Sequence, residues 1–254
     1  MFPIRNTVPT RYPPVVTWTL IALNAAVFLF QISLTPAELE TFMLRFALIP
    51  AFYFSPYVGA SLTLTDYLPF LTMMFLHGGW LHLILNMWTL WLFGPAVEDR
   101  LGHGRYLAFY LACGVAAALV HGVFNPNSTV PAVGASGAIA GVLGSYLHLF
   151  PWARIIILVP ILFIPLFFEL PAFLYVGFWF LMQILQGTAE LLMPAKGGGV
   201  AWWAHIGGFV AGLVFASLMR QPKRLYRRYY ADEGVLGFDP EGRRLTMLAR
   251  NPGG

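Results

Sequence analysis

The chain has 254 residues, 58% of them hydrophobic and only 10% charged, with a formal net charge of +4. Soluble domains carry about 25% charged residues, so this composition excludes an ordinary soluble domain and points to an all-α polytopic membrane protein. The one cysteine, Cys113, excludes an internal disulfide, and basic residues gathered at helix ends and in the tail read as membrane orientation rather than as a nucleic-acid surface.

In chain order, residues 1–14 (MFPIRNTVPTRYPP) contain prolines and no small-residue cleavage site, and are expected to form a short cytoplasmic leader retained before the first span. Six apolar runs follow, at 15–32, 80–97, 106–124, 133–150, 171–186 and 201–219, and together they bound a six-span domain over 15–219. Between the first two lies a long outer loop, 33–79. Within it Thr35-Pro36-Ala37-Glu38 is a helix-start signature, and the amphipathic stretch AELETFMLRFALIP is expected to lie in the interface plane. The apolar stretch 154–171 is broken by Pro160 and Pro165 and ended by Glu169, so a straight crossing helix is not expected there. Residues 220–254 form a basic tail expected on the cytoplasmic side, where a solvated segment that fixes topology is the simplest reading and contact with anionic lipid the alternative.

Charge decides between six spans and seven. With six, and both termini inside, the inner segments hold Arg5, Arg11, Arg100, Arg105, Arg154, Arg220, Lys223, Arg224, Arg227, Arg228, Arg243, Arg244 and Arg250, thirteen of the fifteen basic residues; only Arg45 and Lys196 fall outside. With seven, the tail and Arg45 put nine basic residues outside. The positive-inside rule prefers six.

On that topology Ser136, His205, His82 and Asn86 all fall within roughly 10 Å of the outer hydrocarbon edge, delivered there by spans four, six and two. Each has an unremarkable reading by itself. A serine in a membrane helix usually bonds its own i−4 carbonyl, and a histidine or asparagine can simply bridge helices. Convergence of all four on one depth weakens those readings together. Gly137–Gly141 on span four and Gly208–Gly212 on span six are small-residue pairs flanking Ser136 and His205. They are expected to let two backbones approach until hydroxyl meets imidazole at about 2.6–3.2 Å.

That constellation suits acyl transfer. His205 is the candidate base for a Ser136 nucleophile. An oxyanion would find donors in His82, Asn86 and the backbone N–H of Ser136 at a helix start. No acidic third member is evident, so a dyad oriented by packing is expected. There is no HExxH, zinc-type cysteine cluster or glycine-rich phosphate loop, so neither metal nor cofactor is expected.

The segments HGGWLHLILN (77–86), VEDRLG (97–102), GASG (134–137) and AHIGGFVAG (204–212), in this order, resemble the rhomboid family of intramembrane serine proteases across nearly the whole six-span region. The resemblance implies a rhomboid-like six-helix bundle with Ser136 as nucleophile, His205 as base and His82 and Asn86 at the oxyanion site. By the same likeness His77 is an additional histidine of a water-facing cavity. Gly134, Gly137, Gly141, Gly208 and Gly212 serve packing, and Glu98 and Arg100 cap or tie loops. Substrates would be single-span membrane proteins cut near the outer face. Two departures stand out. Tyr67-Leu68-Pro69 occupies the stretch where many members carry Trp-Arg, and Ala140 stands where some members place an aromatic ring against the histidine.

Trp202 and Trp203 fit an outer aromatic belt, and span five with Gly197-Gly198-Gly199 is the candidate gate for a substrate helix. A bacterial cytoplasmic membrane is the expected location, and the oligomeric state is left open. Two other readings compete with the protease: a non-catalytic relative that binds transmembrane helices for quality control, and a small transporter. The transporter reading predicts midplane polar groups and an internal repeat, neither of which is seen.

Overall fold

The computed structural model describes residues 2–57, 62–161, 164–192, 200–219 and 241–243. In chain order the elements are β1 (Phe2–Asn6), α1 (Val15–Ser33), α2 (Pro36–Phe46), α3 (Ala51–Phe54), α4 (Pro69–Thr72), α5 (Trp80–Leu101), α6 (His103–Phe124), α7 (Ser136–Leu149), β2 (Arg154–Ile161), β3 (Ile164–Pro171), α8 (Ala172–Leu192) and α9 (Trp202–Met219), with short 3₁₀ turns at Leu64–Tyr67 and Met73–Phe75. Among the described residues five helices, α1, α5, α6, α8 and α9, are long and apolar enough to cross a membrane. The protein is an integral, multi-pass helical membrane protein.

The run expected at 133–150 is a helix only from Ser136, and its 14 residues span about 21 Å, less than a hydrocarbon core. Its entry is extended instead. Ala132 pairs with Leu48, and the Gly134 N–H donates to the Met73 carbonyl at 2.9 Å. Ser136 is therefore the first helical residue, rather than lying about three residues inside the helix. The run Gly137–Tyr146 is buried without a break. A helix apolar on every side belongs at a centre, and α7 packs against α5, α6, α8 and α9.

Residues 154–171 form a hairpin rather than a broken helical run. β2 pairs antiparallel with β3 from Arg154↔Pro171 to Ile161↔Ile164, and with β1 from Asn6↔Ile155 to Phe2↔Leu158. The order β1-β2-β3 makes strand residues of part of the expected leader. β1 lies along α5 away from the Ser136 end: Trp88 Nε1 donates to the Pro3 carbonyl at 2.8 Å and Asn6 Nδ2 to the Leu92 carbonyl at 2.6 Å.

Glu98 ties α5 to the start of α1. Its carboxylate accepts the Val16 and Thr17 N–H groups at 2.8 Å each and the Thr17 hydroxyl at 2.6 Å, and it meets His103 Nδ1 at 2.6 Å. These N–H groups are among the helix-start donors that α1 cannot satisfy itself, and an anion suits that end of the helix dipole. Arg100 stacks its guanidinium over the Phe150 ring at 5.6 Å. The start signature in the loop is a capping box. Thr35 and Glu38 bond reciprocally, and those bonds hold the Glu38 carboxyl below its ordinary range.

Candidate active site

The site begins with glycine. A Cβ on Gly208 would collide with the Gly137 carbonyl, one on Gly212 with the Gly141 carbonyl, and one on Gly144 with the Phe209 carbonyl. The α7 and α9 backbones therefore meet directly. On the other side of α7, a Cβ on Gly137 would lie 2.6 Å from the Ala117 Cβ, and one on Gly141 2.5 Å from the Cys113 Cβ, which gives the lone buried cysteine a packing role on α6.

This seam brings together the two residues that head it. Ser136 Oγ and His205 Nε2 are 2.8 Å apart. Ser136 stands at N1 of α7, so its N–H is one of the donors without an intrahelical partner. Gly134, two residues earlier, has φ +127°, a conformation that disfavours any side chain, and a Cβ there would lie 2.7 Å from His82 Nε2. The glycine thus lets the His82 ring come close beside the serine.

His82 and Asn86 come from the first two turns of α5 and share one face. Asn86 Nδ2 lies 3.0 Å from His77 Nε2, and the His77 and His82 rings meet edge to face at 5.0 Å. For the asparagine to donate there, His77 Nε2 must be the unprotonated nitrogen, which leaves Asn86 a second N–H for another acceptor. The His77 backbone is bracketed from α1: its N–H donates to Gln31 Oε1 at 3.0 Å and its carbonyl accepts from Gln31 Nε2 at 3.2 Å.

His205 Nδ1 lies 2.8 Å from Gln183 Oε1 on α8. The expectation of a dyad oriented by packing alone is corrected here, because a side-chain oxygen stands at the far ring nitrogen. Gln183 was legible, with Gln186 three residues on, as an amide within a mostly apolar span, and intramembrane polar groups are seldom idle. His121 on α6 also lines this region, although nothing in its local sequence pattern marks it. A cavity of about 810 Å³ is lined by His82, Asn86, His121, Ser136, Trp179 and His205, among others. Trp202 meets the His205 ring edge-on at 6.2 Å, and Trp203 stacks on Phe124 at 3.7 Å. Gly197-Gly198-Gly199 lies outside the described residues. The stretch Tyr67-Leu68-Pro69 forms a turn whose Tyr67 joins Tyr53 and Phe70 in an aromatic cluster.

The arrangement is a serine hydroxyl within hydrogen-bond distance of an imidazole, with His82 and Asn86 lining the same cavity of about 810 Å³. It meets the geometric conditions for nucleophilic attack on a carbonyl.

The family model for the Rhomboid domain matches residues 64–222. Rhomboid protein 1, mitochondrial, of Saccharomyces cerevisiae is 26% identical over 209 residues, 80% of this chain and 53% of that protein. Rhomboid protease GluP of Bacillus subtilis is 46% identical over 78 residues, 31% of this chain and 15% of that protein. Rhomboid-like protease 5 of Toxoplasma gondii is 34% identical over 152 residues, 56% of this chain and 15% of that protein. The chain thus spans about half or less of the length of these curated relatives. Relatives named mitochondrial stand beside a bacterial one, so the expectation of a bacterial cytoplasmic membrane gains no support from them. The matched model covers more than half of the sequence and includes every residue that lines the cavity. The chain belongs to the rhomboid family.

Proposed function

We propose that the protein is an intramembrane serine endopeptidase that hydrolyses a peptide bond in or near the transmembrane segment of single-span membrane proteins. The observation that carries this reading is the 2.8 Å contact between Ser136 Oγ and His205 Nε2. Ser136 Oγ attacks the scissile carbonyl carbon as its proton passes to His205 Nε2. The carbonyl oxygen becomes an oxyanion facing the Ser136 N–H and the side chains of His82 and Asn86. The imidazolium then returns the proton to the departing amine, the C–N bond breaks, and an acyl-Ser136 ester remains. Water enters through the cavity, His205 takes its proton, and the ester is hydrolysed. Both termini lie on the inner side, where the basic residues collect, and the chemistry takes place near the outer face.

The test is labelling by a fluorophosphonate or an isocoumarin in detergent micelles, comparing the wild type with Ser136→Ala and His205→Ala. Labelling confined to the wild type is expected. Equal labelling of all three would reject the enzyme and leave a non-catalytic binder of transmembrane helices.

A further inference from the structure

We infer that Gln183 is a positioning residue that orients His205 from α8, so that the base is competent only while α8 stays packed against α9. This rests on the hydrolase reading above. Ala140, one turn beyond Ser136, offers the imidazole no ring to rest on, and the small face of α7 gives it no lateral wall. The support comes instead from one turn of α8. Trp179 and Gln183 are i and i+4, so they share a face. The Trp179 ring lies 5.9 Å from the His205 ring at an interplanar angle of 35°. Gln183 Oε1 meets His205 Nδ1 at 2.8 Å.

The amide cannot serve either way round. Gln183 Nε2 donates to the Trp179 carbonyl at 3.0 Å. With the nitrogen committed there, the oxygen is what faces the ring, and an amide oxygen only accepts. His205 Nδ1 must then carry the ring proton, which leaves the Nε2 lone pair toward Ser136 Oγ. That is the tautomer a general base requires. Gln183 is buried at 5% exposure and His205 at 8%, so water does not compete freely for this bond. A neutral amide fixes the tautomer without taking the proton, which explains why no acidic partner is needed.

The helix that supplies this clamp is the least buried of the five long helices, with Phe178, Leu181 and Leu185 exposed on its outer side. An outward shift of about 1 Å would lengthen the Gln183–His205 contact past hydrogen-bond range. Outward displacement of α8 therefore removes the acceptor that holds the ring proton on His205 Nδ1.

The experiment uses the full chain in micelles and measures fluorophosphonate inactivation over a range of probe concentrations, which separates the maximal rate from the half-saturating concentration. Gln183→Leu is expected to lower the maximal rate roughly 10- to 100-fold, within or below the ~10²–10⁴ that a general base contributes, with half-saturation and melting temperature unchanged. Gln183→Glu retains an acceptor oxygen and is expected to stay within about threefold of wild type, on the same hydrogen-bond reasoning. Unchanged rates in Gln183→Leu would overturn the inference, as would equal losses in both variants with a lowered melting temperature. Ser136→Ala run alongside keeps the two readings apart: wild type labelling no faster than Ser136→Ala would sink the hydrolase itself.

Discussion

Two helices flank His205, and they are built on opposite plans. Along the α7–α9 seam the backbones touch through Gly208 against Gly137 and Gly212 against Gly141, with no side chain between them. Along α8 the contacts are side-chain tips. Phe180 stacks on Phe209 at 4.0 Å, Gln183 reaches His205 Nδ1, and Gly187 leaves room for Trp202 and Trp203. Close-packed backbones have no soft degree of freedom, whereas rotamer-bearing contacts can part and re-form at modest cost. The seam therefore fixes where Ser136 and His205 stand, and α8 supplies the group that meets the far nitrogen of the imidazole.

The same substitution made in both regions should break this contrast if it is wrong. Gly208→Ala places a methyl on the Gly137 carbonyl and is expected to cost about 3 kcal/mol or more, with loss of phosphonate labelling. Thermal unfolding in micelles reads the first effect and gel fluorescence the second. A Gly208→Ala protein that melted and labelled like wild type would mean the helices are not in backbone contact.

A reversible tether sharpens the role of α8. A Cβ on Gly187 would lie 3.3 Å from the Trp202 Cβ, near the separation of about 3.5–4.5 Å that a disulfide needs. The double variant Gly187→Cys, Trp202→Cys should, when oxidised, cleave a transmembrane substrate at least ~10-fold more slowly than when reduced, a loss of about 1.4 kcal/mol in transition-state access. A small phosphonate should label both forms alike. Equal cleavage of the helical substrate in the two redox forms would place the entry elsewhere.

The smallest effect is expected at Gly177 on α8, where nothing lies within 4 Å of the added methyl. Gly177→Ala should change stability by less than about 1 kcal/mol, in the stabilising direction, and leave labelling unchanged.

Much of the site is local or periodic and was open to reading. Ser136, His205, His82 and Asn86 sit at helix starts, where counting residues from a span's edge gives depth. The glycine pairs recur every fourth residue, which is how helices expose one face. The Thr35–Glu38 box is a four-residue pattern and formed as such. Gln183 was visible as a polar residue in span five. Its partner was not, because helical period places a residue on a face but does not say which neighbour that face meets.

The sequence by itself determined that this chain is a membrane protein, where its long apolar helices run, and which small faces would let helices close up, because hydropathy, charge and helical period are written within twenty-odd residues of one another. Tertiary structure alone decided three things. It set α7 short, with Ser136 at its first turn. It paired β1 with β2 across a register that brings Thr7 Oγ1 to the Arg154 N–H, 147 residues away. It also delivered the Gln183 amide to His205. Each of these joins groups distant along the chain, and the free energy that selects such a pairing resides in the packed bundle and in neither segment by itself.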